Sequence, residues 1–141
     1  MTKLLLGAFA SLALFGFSSG DWADKVSEVF ECELEKGKTH IVVAIIQYLP
    51  NAVVSKTIIK KITGNITATS FDAGEELEEK LSPFDNYIQI IDGTANLTIN
   101  KKAFKLTKGE GIIIPAHQRH QFSAKEQFKM ISTVIKSGYE D

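Results

Sequence analysis

The chain has 141 residues, 44% hydrophobic and 23% charged, which suits one packed domain and excludes a disordered chain. Its formal net charge is −1, with 16 Lys and Arg against 17 Asp and Glu, so it lacks the basic excess a nucleic-acid surface needs. Its one cysteine, Cys32, excludes an intrachain disulfide, and stability must come from a core.

Residues 1–20, MTKLLLGAFASLALFGFSSG, run from Lys3 through an apolar stretch, Leu4 to Phe17, to small residues. That order predicts a signal peptide cut before Asp21 and a secreted or periplasmic protein with no membrane contact after cleavage. The run is shorter than the ~20 residues that span a bilayer comfortably; left uncut, it would act as an anchor. Over residues 21–38 the spacing of Trp22, Val26, Val29 and Phe30 predicts a short amphipathic helix, capped by Asp21 and stopped by Gly37. Cys32 is expected to be a small buried or semi-buried apolar residue within it.

From residue 39 to 138 the period changes to that of short strands. HIVVAIIQYL, AVVSKTIIK, GNITATSF, NYIQII, TANLTI, AFKL, GIII and QFKMISTVIK are rich in Ile, Val, Thr and Phe. Turn residues punctuate them, among them Gly64-Asn65, Asp92-Gly93, Asn100-Lys101 and Lys108-Gly109. This predicts an all-β antiparallel sandwich or barrel. Asp92-Gly93 predicts a hairpin between NYIQII and TANLTI. The acidic run GEELEEK, Gly74 to Lys80, reads as a solvated loop at the rim. KGKTH is not a phosphate loop, because Cys32 stands where such a loop needs glycine. The sequons at Asn65 and Asn96 matter only in a eukaryotic host.

DAGEELEEKLSPFDNYIQIIDG and KGEGIIIPAHQRHQF together resemble the two motifs of the cupin family, and more closely its very small single-domain members. Gly74 and Gly93 bound the first motif; Gly109, Pro115 and His120 carry the second. VSKTIIKK, SPFDNYIQIIDG, IIIPAHQRH and FKMISTVIK extend the likeness from about Ile45 to Lys136. The resemblance implies a jelly-roll β-barrel, a homodimer, and a ligand site inside the barrel. Alternation then points Asn86, Ile88, Ile90, His120 and Phe122 inward.

At the family's metal-ligand positions this chain has Lys80, Ser82, Asn86 and His120. An ammonium cannot coordinate a cation, hydroxyl and amide oxygens are poor ligands for transition metals, and one imidazole falls short of the set a stable site requires. The expectation is therefore no cofactor. A divalent transition metal is the alternative, held by His120 and His117 with Glu79, Glu76 or Glu78. His117 otherwise reads as a solvent-facing turn residue. Asp85 reads as a turn residue, and Trp22 and Tyr48 as packing residues.

Three functions stay open. The first is a barrel that binds a small molecule through Lys80, Ser82, Asn86, Ile88, His120 and Phe122. The second is an enzyme, either an isomerase or lyase with His120 and Lys80 as acid and base, or an oxygenase on a rebuilt metal site. The third is a dimeric structural or interaction module.

Overall fold

A computed structural model describes residues 28–30, 32–79 and 81–139. Among them are nine strands: β1 (Glu28–Phe30), β2 (Val53–Lys61), β3 (Gly64–Phe71), β4 (Glu76–Glu79), β5 (Asn86–Ile99), β6 (Lys102–Thr107), β7 (Gly111–Ile114), β8 (His120–Ser123) and β9 (Phe128–Ile135). β2, β3, β9, the first half of β5 and β7 make one sheet. β4, β8, the second half of β5 and β6 make the other. These pairings are all antiparallel, and the sheet curls on itself as an all-β jelly-roll barrel.

Because β5 belongs to both sheets, the chain must turn a corner within it. Asp92 and Gly93 pair with Lys129 and Phe128 on β9, and from Thr94 onward β5 pairs with β6. Asp92-Gly93 is therefore not the hairpin expected. Gly93 does take a positive φ of 74°, but it spends that freedom on a bend between sheets. The tight two-residue turn lies next along the chain, where Asn100 (φ 48°) and Lys101 (φ 73°) join β5 to β6.

The strands alternate, and their inward residues make the main core: Val53, Phe71, Leu77, Ile88, Ile90, Leu97, Phe122, Phe128 and Met130 among others. Phe71 and Phe128 stack at 4.4 Å, and Phe122 lies 5.9 Å from Phe71. Together they plug one end of the barrel with aromatic surface. GEELEEK is not a loop. Glu76–Glu79 pair with β8, because alternation buries Leu77 between Glu76 and Glu78, which stay exposed.

HIVVAIIQYL does not form a strand either. Val42–Ala44 make a short 3-10 turn, and the segment lies over the outer face of the first sheet. There Ile46 packs with Ala52, Val54 and Ala68 in a second core. Lys129 Nζ fastens the segment by donating to Val43 O at 2.7 Å and sits 4.8 Å over the Tyr48 ring. Tyr48 Oη donates to Asp92 Oδ2 at 2.6 Å. Burial first, and then that carboxylate, raise the phenol well above its usual pKa.

Of the extension expected to be helical, Glu28–Phe30 is a strand running parallel to β2, whose edge would otherwise lack a partner. Pairing with β2 overrides the helical spacing there. Cys32 follows it and is exposed rather than buried. The expected signal peptide, the cap at Asp21 and Trp22 lie outside the described residues. No helix among the described residues is long and apolar enough to cross a membrane.

Candidate functional site

The end of the barrel opposite the aromatic plug is its mouth, where the two motif segments meet. β7 finishes there at Ile114, β8 begins there at His120, and β5 has both ends there, Asn86 paired with Ile114 and Ile99 with His120. The intervening turn is pinned by three bonds: His117 N to Ser82 O at 2.7 Å, Ala116 N to Asp85 Oδ1 at 2.8 Å, and Asn100 N to Arg119 O at 3.0 Å. His117 is exposed, with a positive φ of 64°, and occupies the turn itself. Asp85 also acts as a turn residue, exposed and bonded to backbone.

His120 is only 6% exposed and faces inward from β8, its ring 5.9 Å from and edge-on to Phe122. Its Nδ1 lies 3.4 Å from Gln118 O, and since a carbonyl only accepts, that long contact fits a proton on Nδ1. Asn86 is half-buried on β5, and Ile88 and Phe122 are sealed in the core beneath the mouth. The structure thus brings His120, Asn86, Ile88 and Phe122 to the same barrel interior. Lys80 lies outside the described residues. Glu79 stands opposite His120 in the β4–β8 register.

The oxygens at two of the metal-ligand positions are already engaged. Ser82 Oγ accepts from Phe84 N at 3.1 Å, closing a local turn. Asn86 Oδ1 accepts from Ser132 Oγ at 2.7 Å, which orients the amide and occupies one of the two lone pairs of its oxygen. Among the described residues no group of three His, Cys, Asp or Glu side chains is placed to hold a metal ion. A hydroxyl, an amide oxygen and one imidazole are a poor donor set for a transition metal.

Beside the mouth a groove of about 370 Å³ opens between β6 and β7, the two strands that flank β5 in different sheets. Ile99, Phe104, Ile112, Pro115 and Gln118 line it, and Phe104 and Ile112 pack on the main core. It is an apolar surface groove, with a polar rim at Asn100, Lys102 and Gln118.

The structure also shows polar residues that the motifs do not contain. On the inner face of the first sheet, Ser55, Thr57, Thr69 and Ser132 are buried on the same side as the core residues Val53, Phe71 and Met130. Their only trace in the sequence is polar residues at strand positions where alternation predicts apolar ones.

Residues 69–135 match the family described as the Cupin domain. Solved structures share the fold. A conserved protein of unknown function from Streptococcus pyogenes is 26% identical, with a TM-score of 0.71, over 78% of this chain and 96% of that one. A cupin superfamily protein from Desulfitobacterium hafniense is 23% identical, with a TM-score of 0.69, over 75% and 97%. A Cupin 2 conserved barrel domain protein from Leptotrichia buccalis is 29% identical, with a TM-score of 0.64, over 67% of this chain and 46% of that one. No curated protein matches.

Proposed function

The chain belongs to the cupin family of small conserved barrels, and from that premise we propose that it binds a small molecule in the barrel mouth without the family's metal quartet. The observation that carries this reading is the engagement of Ser82 Oγ and Asn86 Oδ1 by Phe84 N and Ser132 Oγ. An ion drawn to either oxygen would compete with a donor already in place, and neither a hydroxyl nor an amide is a strong ligand for a transition metal.

In this reading His120 is the polar anchor, since a histidine can donate and accept near neutral pH. Asn86 contributes amide hydrogens beside it, and Ile88 and Phe122 form the floor. Ser82 holds the lip through its bond to His117 N. Lys80 is the first-motif residue expected at the same lip. A dimer belongs to the same proposal: Tyr87 and Ile113, paired across β5 and β7, expose apolar surface on the outer face.

The test is elemental analysis of the purified full chain, with thermal stability measured before and after chelation. The expected result is substoichiometric metal and an unchanged midpoint. Stoichiometric iron, manganese, nickel, copper or zinc that disappears in His120→Ala would overturn the reading. Light scattering at micromolar concentration should give twice the chain mass, and a monomer would remove the dimer.

A further inference from the structure

Cross-strand register arranges the inner face of the first sheet in rows. Next to the aromatic plug stand Val53, Phe71 and Phe128. The next row is Ser55, Thr69, Met130 and Ile90. The row above it, toward the mouth, is Thr57, Thr67, Ser132, Ile88 and Ile112. Asn65, Val134, Asn86 and Ile114 complete the wall at the lip. Two adjoining rows therefore carry five hydroxyls, all on the face that looks into the barrel.

Ser132 spends its hydroxyl hydrogen on Asn86 Oδ1, but three of the others are not consumed by the fold. Ser55, Thr57 and Thr69 are 7%, 7% and 6% exposed, and among the described residues none of the three side chains has a hydrogen-bond partner. Yet no sealed side-chain nitrogen or oxygen among those residues lacks a partner. The three oxygens must themselves touch accessible space, so the little exposure these residues retain includes their hydroxyls. The wall is more than nine-tenths buried yet keeps these hydroxyls in touch with accessible space, where each can donate and accept equally.

Resting on the proposed binding function, we infer that this wall takes a neutral polyhydroxylated ring, a monosaccharide or a cyclitol. Neighbouring hydroxyls within a row stand about 5 Å apart, and rows about 7 Å apart. That grid suits several hydroxyls set round one six-membered ring. These two rows carry no charged side chain among the described residues, so a carboxylate or phosphate placed there would lose hydration without a counter-charge. Ile112, at the far end of the row from Thr57, also lines the groove between β6 and β7.

The test uses the full chain with myo-inositol, D-glucose, D-galactose and L-rhamnose as neutral probes, and D-glucuronate and D-glucose 6-phosphate as charged ones. Binding is read by thermal shift and by saturation-transfer NMR. The expected result is saturable binding of at least one neutral probe, weakened about tenfold or more in Thr57→Val/Thr69→Val. The unliganded midpoint of that variant should match or exceed the parent's, since the hydroxyls hold nothing in the fold. Ser55→Ala, opposite Thr69 in the same row, provides the same reading. Charged probes binding while neutral ones do not would overturn the ligand class and leave metal-free binding standing. Neutral binding unchanged in the variants, or a variant that unfolds more easily without ligand, would overturn the wall. No saturable binding by any of the six probes would overturn the class as well. Only metal loading that depends on His120 would remove the underlying function.

Discussion

Gly93→Ala tests the corner on which the mouth depends. A Cβ built at residue 93 would lie 2.2 Å from Gln127 O and 2.9 Å from Phe128 Cα, both backbone atoms of the chain entering β9. Neither can withdraw without loosening the pairing of Gly93 with Phe128, whose ring stacks on Phe71. The positive φ of 74° adds about 1–2 kcal/mol for an L-residue, and forcing a methyl into packed backbone adds about 1–3 kcal/mol. The sum is a loss of about 2–5 kcal/mol. Gly109, at φ 92°, is the internal control, because a Cβ there meets nothing within 4 Å. Gly109→Ala therefore carries only the conformational part, about 1–2 kcal/mol. The gain from a stiffer unfolded chain is common to both and cancels in the comparison. Urea unfolding of the two variants beside the parent gives the difference directly. Equal losses would show that residue 93 is not wedged against β9 and would refute the corner.

Phe122→Ala should cost about 3–5 kcal/mol in urea unfolding, because it empties the space between His120, Phe71 and Phe128; a loss under 1 kcal/mol would mean the plug is not packed. Tyr48 has a raised pKa in the folded state, so its contribution is present below the ordinary phenol value and is lost as pH rises beyond it. Unfolding free energy should fall between about pH 9 and about pH 11 in the parent, and less steeply in Tyr48→Phe. Lys129→Met should cost about 1–3 kcal/mol by leaving Val43 O without its donor. An unchanged free energy would show that this bond does not hold the segment on the sheet.

Where the sequence was legible, a short-range pattern agreed with the pairing. GNITATSF and GIII coincide with β3 and β7, and the alternation of His120 and Phe122 placed both inside. Asp92-Gly93 and Asn100-Lys101 show what local signals omit. Both pairs can turn a chain, but Asp92 and Gly93 have partners waiting on β9, and an occupied ladder holds the backbone extended up to the glycine. Asn100 and Lys101 have no such partners, and the chain reverses there. HIVVAIIQYL failed for a related reason. Its apolar residues cover a sheet rather than extend one, and composition alone does not separate the two.

The hydroxyl wall was illegible for a stricter reason. Ser55 and Thr57 lie on β2, Thr67 and Thr69 on β3, and Ser132 on β9, more than sixty residues further along the chain. Each alone is an ordinary strand residue. Only the register of three strands turns them into a surface, and register is set by long-range burial.

The glycine and proline spacing that identifies the family and the chemistry inside the barrel are separable in physical terms. Gly93 fixes the bend of β5, and the turn after Pro115 fixes where β8 starts, so together they bring Asn86 and His120 to one mouth whatever else lines it. Neither determines which atoms face the recess. Ser132 orients the Asn86 amide by donating to its carbonyl, and the Phe84 backbone orients the Ser82 hydroxyl by donating to it. Restoring a metal would take His or Glu at positions 80, 82 and 86, since one imidazole falls short of a stable donor set. A carboxylate at 86 could keep the Ser132 hydroxyl on one lone pair and turn another toward an ion. In this chain the polar groups at the mouth are oriented by the side chains and backbone that surround the motif positions rather than by the motif.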